Sequence, residues 1–152
     1  MKKSNSEIEA LRDVSFDEFD AAKDQMPNLV RKRCQFILEE NQRVLDLAKP
    51  LSENDSDTLK ELFNTSYFGA RDLFEIGAPA MEEMYQSMLN APGVVAARQT
   101  GAGFGGCMVA LVNNDQVDEF AKDVQYKYKA ETGIEPDIYS VSPSAGAGLL
   151  EY

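Results

Sequence analysis

Histidine is absent from all 152 residues. That absence removes the commonest general base, the commonest zinc ligand and every Ser–His or Cys–His nucleophile pair. Any chemistry must therefore come from carboxylates, backbone dipoles or groups supplied by another chain. Cysteine occurs only twice, at Cys34 and Cys107, without the C-x-x-C spacing of a metal or redox site. Both lie in apolar contexts where a free thiol acts as a small hydrophobe, and both are expected to be reduced and structural. No apolar run approaches the roughly 18 residues of a membrane-spanning helix. No apolar stretch follows Lys2 and Lys3, so the amino terminus does not read as a secretory signal, and a soluble, cytoplasmic protein is expected. Basic residues are scarce, 15 Lys and Arg against 26 Asp and Glu, for a net charge of −11. A field of that sign repels phosphate backbones and argues against a nucleic-acid partner.

What is present suffices for a folded chain. The hydrophobic fraction is 43%, with eight Phe and six Tyr, and the length fits one domain that buries roughly two thirds of its unfolded surface. Residues 1–10 are polar and expected to be disordered or frayed. Leu11–Val14 is expected to be a short extended piece, and Ser15 with Glu18 three residues on forms a capping-box pattern for a short helix to about Lys23. Pro27 opens a long helix that should run to about Lys49 and be stopped by Pro50. Its apolar positions Val30, Cys34, Ile37, Leu38, Leu45 and Ala48 follow a 3.6-residue period. Asn41 falls on that stripe, either bonding a neighbouring backbone group or facing a partner. Arg31, Lys32, Arg33 and Arg43 make the densest basic patch, expected to be a solvated helix face. A second helix is expected over residues 56–72, with Leu59, Leu62, Phe63, Ser66, Tyr67 and Ala70 inward and a bend or end at Gly69. A third opens at Pro79 and runs to about Leu89, with Met81, Met84, Tyr85 and Met88 as core.

Residues 94–100 and 107–112 read as two strands joined by Gly101-Ala102-Gly103-Phe104-Gly105-Gly106. A helix over 116–132 capped by Gly133 follows, then a strand over 136–141 and a glycine-rich tail. Helices first, then strand, loop, strand, helix and strand make an α+β pattern, with helices on one face of a small, mainly antiparallel sheet. The spacing of Gly101, Gly103 and Gly106 matches G-x-G-x-x-G. A dinucleotide fingerprint, however, requires those glycines to leave a strand and open a helix, whereas here a second strand follows. No Gly-Lys-Ser or Gly-Lys-Thr follows either, which excludes a P-loop. Two readings remain: a ligand-free hairpin loop that needs positive dihedrals, or a nest of backbone N–H groups open to a phosphate or sugar, with the Thr100 hydroxyl alongside. Composition does not choose between them.

The run from Ala97 to Cys107, Ala-Arg-Gln-Thr-Gly-Ala-Gly-Phe-Gly-Gly-Cys, closely resembles the third conserved motif of the galactokinases, members of the GHMP kinase family. Leu11-Arg12-Asp13-Val14 is similar to their linker into the second domain, and Arg31-Lys32-Arg33 with Glu39 to Val44 to their long-helix signature. Asn64-Thr65-Ser66, Arg71 to Glu75, and Pro143 to Ala147 are similar to later segments. The resemblance implies a GHMP kinase carboxyl-terminal domain over residues 11–152, half of an ATP-dependent galactose 1-kinase. It places Thr100, Gly101, Ala102, Gly103, Phe104, Gly105 and Gly106 against phosphate and sugar, with no catalytic residue and no metal ligand in this chain. ATP and magnesium belong to the complete enzyme, and none is expected to bind tightly to this chain alone.

The partners implied are galactose or a related sugar and an amino-terminal domain, with no nucleic acid or membrane. A homodimer through the exposed domain face is also expected. The Gly-Glu-His-Thr-Asp-Tyr sugar signature and the Gly-Leu-Ser-Ser-Ser phosphate loop of that domain are not in the sequence, so the chain by itself is expected to be inactive. An alternative is a sugar-binding or regulatory module of the same fold without catalysis; another is a fragment of a longer protein. The sequence departs from the family pattern at Gln35 and Tyr67, where galactokinases usually carry histidine, and at Gly69 and Gly77, where serine is common.

Overall fold

The capping box forms as its spacing predicts. The Ser15 hydroxyl accepts the Glu18 amide at 3.2 Å and the Glu18 carboxylate accepts the Ser15 amide at 3.0 Å, which starts helix α1 (Phe16–Ala22). The computed structural model describes residues 8–144, 146 and 148. Leu11–Asp13 is a 3-10 turn, not an extended piece, because the Asp13 carboxylate accepts the amides of Glu9 and Ala10 at 3.1 and 2.7 Å and curls the chain. Ile8 is buried with Val14, Phe19 and Leu38. The expected fraying of the amino terminus therefore does not extend to Ile8, whose apolar side chain is anchored in a core cluster; residues 1–7 of that expectation lie outside the described residues.

Helix α2 (Asn28–Asp46) begins after Pro27 as expected but ends before Pro50 is reached. Pro50 is buried in the first turn of the next helix, α3 (Ala48–Glu53), where a missing backbone N–H breaks no intrahelical bond. The single apolar stripe is also corrected. Val30 and Leu45 are exposed, and Asn41 is exposed with them. One side of α2 sends Cys34 and Leu38 to the Ile8 cluster. The other sends Phe36, whose ring lies 5.1 Å from that of Phe74, and Glu40, which reaches Ser66 and Arg98. Helix α2 is thus covered on two sides, and one of them is lined by a charge.

Helix α4 (Ser56–Gly69) is capped by Asp55, which accepts the Thr58 amide at 3.1 Å. It gives way at Gly69 to a single π-helical turn, Ala70–Phe74, closed by Glu75 in the left-handed region. A Cβ on Gly69 would lie 3.0 Å from the Phe36 ring and 3.2 Å from the Arg43 guanidinium, so the absent side chain lets α2 and α4 approach. Helix α5 (Pro79–Leu89) has proline in its first turn.

Strands β1 (Val94–Thr100) and β2 (Cys107–Val112) pair antiparallel, with Ala97 opposite Ala110 and Thr100 opposite Cys107. Tyr67 of α4 and Tyr85 of α5 stack at 3.6 Å between ring centroids and pack over Ala97, so both helices lie on one face of the sheet. Helix α6 (Val117–Thr132) ends at left-handed Gly133 and packs Phe120 and Val124 against Met84, Met88 and Ala91. The α+β arrangement is the one expected. The expected last strand is not: among the described residues the sheet has two strands, and Tyr139 and Val141 are 79 and 82% exposed. Alternating apolar residues favour a strand only where a neighbouring strand offers its hydrogen bonds, and residues 136–141 meet none there.

Candidate functional site

The hairpin closes at the Thr100–Cys107 pair and leaves residues 101–106 as its loop. Gly101, Gly103, Phe104 and Gly105 have φ of +83°, +80°, +57° and +113°, so the expectation that this stretch needs positive dihedrals holds. The glycines differ in what surrounds them. A Cβ on Gly101 or Gly105 would meet nothing within 4 Å, whereas one on Gly103 would come within 2.4 Å of the Ile76 carbonyl oxygen. The loop is seated on the turn before α5: the Phe104 amide donates to the Ile76 carbonyl at 2.9 Å and the Gly105 amide to the Met81 sulfur at 3.2 Å. Among the described residues the amides of Gly101, Ala102 and Gly103 find no acceptor. The amide run is thus divided, with the Phe104 and Gly105 donors facing the protein and those of Gly101, Ala102 and Gly103 turned away from it. Thr100 and most of the loop are exposed, and Phe104 projects at 72% exposure.

The supporting segment gathers charge. Arg71, Glu75, Gly77, Ala78, Pro79 and Glu82 line an open cleft of about 370 Å³. Arg71 pairs with Asp72 at 2.7 Å and with Glu82 at 3.2 Å, and lies 4.8 Å from the centre of the Phe68 ring. Glu82 also accepts the Tyr67 hydroxyl at 2.9 Å. Burial pushes the Glu82 carboxyl up, but hydrogen bonds from Tyr67, Arg71 and Gln86 outweigh it and hold the group below the usual carboxylate range. The two stacked phenols move the other way. Burial, then Glu82, raises Tyr67, and burial with the Glu82 charge pushes Tyr85 up to about 12. Glu82 is a structural acceptor held ionised, which is the reverse of what a general base poised near neutrality requires.

A second polar cluster pins β1 where it enters the loop. Glu40 accepts the Ser66 hydroxyl at 2.8 Å, Arg43 Nε at 2.9 Å and Arg98 Nη1 at 2.8 Å. Next to Arg98, Gln99 is buried and its Oε1 has no partner among the described residues. The basic patch of α2 is not a solvated face: Arg43 joins this cluster, and Lys32 and Arg33 both reach Glu75. Among the described residues no three His, Cys, Asp or Glu side chains group as metal ligands. Cys34 packs as expected, but Cys107 is exposed, because its strand position faces away from the helices.

The residues that seat the loop, Ile76 and Met81, escaped the sequence reading. The only local signals were the helix start at Pro79 and the methionines expected in the core, and neither specifies a contact some 25 residues away. The departures from the family pattern are accommodated structurally. Gln35 donates to Glu39 at 2.7 Å, Tyr67 is a buried core residue, and a Cβ on Gly77 would lie 3.2 Å from the Arg71 side chain.

Residues 47–130 match the family model described as GHMP kinases C terminal. Among curated proteins, the chain is 37% identical over 145 residues to a galactokinase of Clostridium perfringens, covering 95% of this chain and 38% of that protein. It is 36% identical over 141 residues to a galactokinase of Clostridium acetobutylicum, covering 92% of this chain and 36% of that one. Among solved structures, Lactococcus lactis galactokinase complexed with galactose superposes with a TM-score of 0.77 at 31% identity over 88% of this chain and 34% of that one. The chain thus spans less than two fifths of the length of each relative.

Proposed function

Since this chain belongs to the GHMP kinase C-terminal family, we propose that residues 11–152 are the carboxyl-terminal domain of a galactokinase-like sugar kinase, which phosphorylates galactose at C1 with ATP in the cytoplasm. The observation that carries this reading is the seated loop over residues 101–106, which has open space at Gly101 and Gly105 and free amides at Gly101, Ala102 and Gly103. Phosphoryl transfer depends mainly on positioning and on stabilising charge, and backbone donors supply both without a titratable group. They suit phosphate oxygens or sugar hydroxyls equally, so the donor set fits either ligand. ATP supplies the phosphoryl group; this chain's share is to orient ligand oxygens through residues 100–106 and to shape one wall of the cleft. Magnesium and ATP belong to the complete enzyme, and the main ATP contacts are assigned to its amino-terminal domain.

Joined to the amino-terminal domain of the Clostridium perfringens relative, the chain is expected to phosphorylate galactose, and alone to show no turnover. In the joined protein, Gly103→Val is expected to abolish turnover with the helical circular dichroism unchanged. Full activity in that variant would reduce the loop to a connection. A joined protein that binds galactose without turning it over would favour the regulatory alternative.

A further inference from the structure

We infer that Glu75, held by Lys32 and Arg33 of α2, is a positioning residue that sets the conformation of the glycine loop through the Ile76 carbonyl. Glu75 has φ +59° and ψ +44°, a left-handed conformation that costs an L residue free energy and that glycine adopts without penalty. The side chain present there is engaged twice: Oε2 lies 2.7 Å from Arg33 and Oε1 3.3 Å from Lys32. Hydrogen bonds from Arg33 and then Lys32 hold its carboxyl below the usual range. Arg33 also donates to the Leu73 carbonyl and lies 5.4 Å from the centre of the Phe74 ring, so it grips the π-helical turn on both sides of Phe74. The Ile76 amide then closes that turn on Ala70 at 3.2 Å, and the Ile76 carbonyl receives the Phe104 amide at 2.9 Å.

The same carbonyl oxygen that anchors Phe104 abuts Gly103 so closely that a Cβ would sit 2.4 Å away. A shift of residue 76 is therefore passed to the loop. The remaining anchor, Gly105 on the Met81 sulfur, uses a weak acceptor. The basic patch acts through geometry, ordering donors before a ligand arrives, and touches no ligand itself.

The consequence for catalysis rests on the proposed function, but the relay is tested without it. Exchange of the Phe104 amide is measured by NMR on the 152-residue chain, with β1–β2 ladder amides as the reference. Glu75→Gly keeps the left-handed turn, relieves its strain and removes the ion pairs. It is expected to speed Phe104 exchange by about fivefold or more relative to the ladder, and 1 M salt is expected to act in the same direction on the unchanged protein. Unchanged Phe104 protection in Glu75→Gly, or in the unchanged protein at 1 M salt, overturns the relay. In the joined two-domain protein, Glu75→Gly is expected to lower kcat/KM about in proportion to the lost protection. Lost protection with unchanged kcat/KM leaves the relay standing and overturns the placement of the loop at the active site.

Discussion

Gly101 and Gly103 have nearly the same φ, yet they are different kinds of requirement. At Gly101 a methyl group would enter open space, so Gly101→Ala should cost only the left-handed strain, about 1 kcal/mol in chemical denaturation. At Gly103 the same change adds a collision with the Ile76 carbonyl, and a loss of about 3 kcal/mol or a displaced loop is expected. Equal effects would mean that the loop is not seated on residue 76. Gln99 offers the opposite sign. Its buried Oε1 is unpartnered, so Gln99→Met, which keeps the volume and removes the stranded acceptor, should raise stability by about 1 kcal/mol. The glycine run and its positive dihedrals were legible in the sequence because they are backbone properties of consecutive residues. What each glycine faces was not, since Ile76 is remote in sequence.

Among the elements, the caps were the most legible features. Ser15, Pro79 and Gly133 each settle an end within one turn of helix, and Ser15→Ala is expected to cost about 1 kcal/mol, read as a lower thermal midpoint. Helix α2 was the least legible, because a helix covered on two sides has no single stripe and because one covered side carries Glu40. Burial raises the Glu40 carboxyl, but hydrogen bonds from Ser66 and Arg43 and the charges of Arg98 and Arg43 bring it below its ordinary 4.5. Its contribution is therefore complete above about pH 4.5 and is lost as the pH falls through the lower folded value. Glu40→Gln should cost about 2 kcal/mol at pH 7, since Arg43 and Arg98 lose their shared partner. The gap from the unchanged protein should close in acid. A gap that persists at low pH would assign the loss to packing.

At the scale of the whole molecule, the chain leaves Phe104 of the glycine loop, Tyr126 of α6, and Tyr139 and Val141 of the segment after α6 largely uncovered. Exposed apolar side chains in a domain of this size favour association, and we expect a homodimer in concentration-dependent sedimentation, with a monomer throughout counting against it. The sequence by itself determined the α+β order, the hairpin, the helix ends and the family resemblance, because these depend on local dihedral preferences and on a contiguous motif. It also determined the lack of an imidazole base. Tertiary structure alone decided that the basic patch is ion-paired to the turn before α5, that Pro50 sits in the first turn of a helix, that residues 136–141 lack a ladder and that two loop amides face inward. Each of those outcomes depends on a partner brought close by packing, and the distance between residues remote in the chain is not encoded in any local pattern.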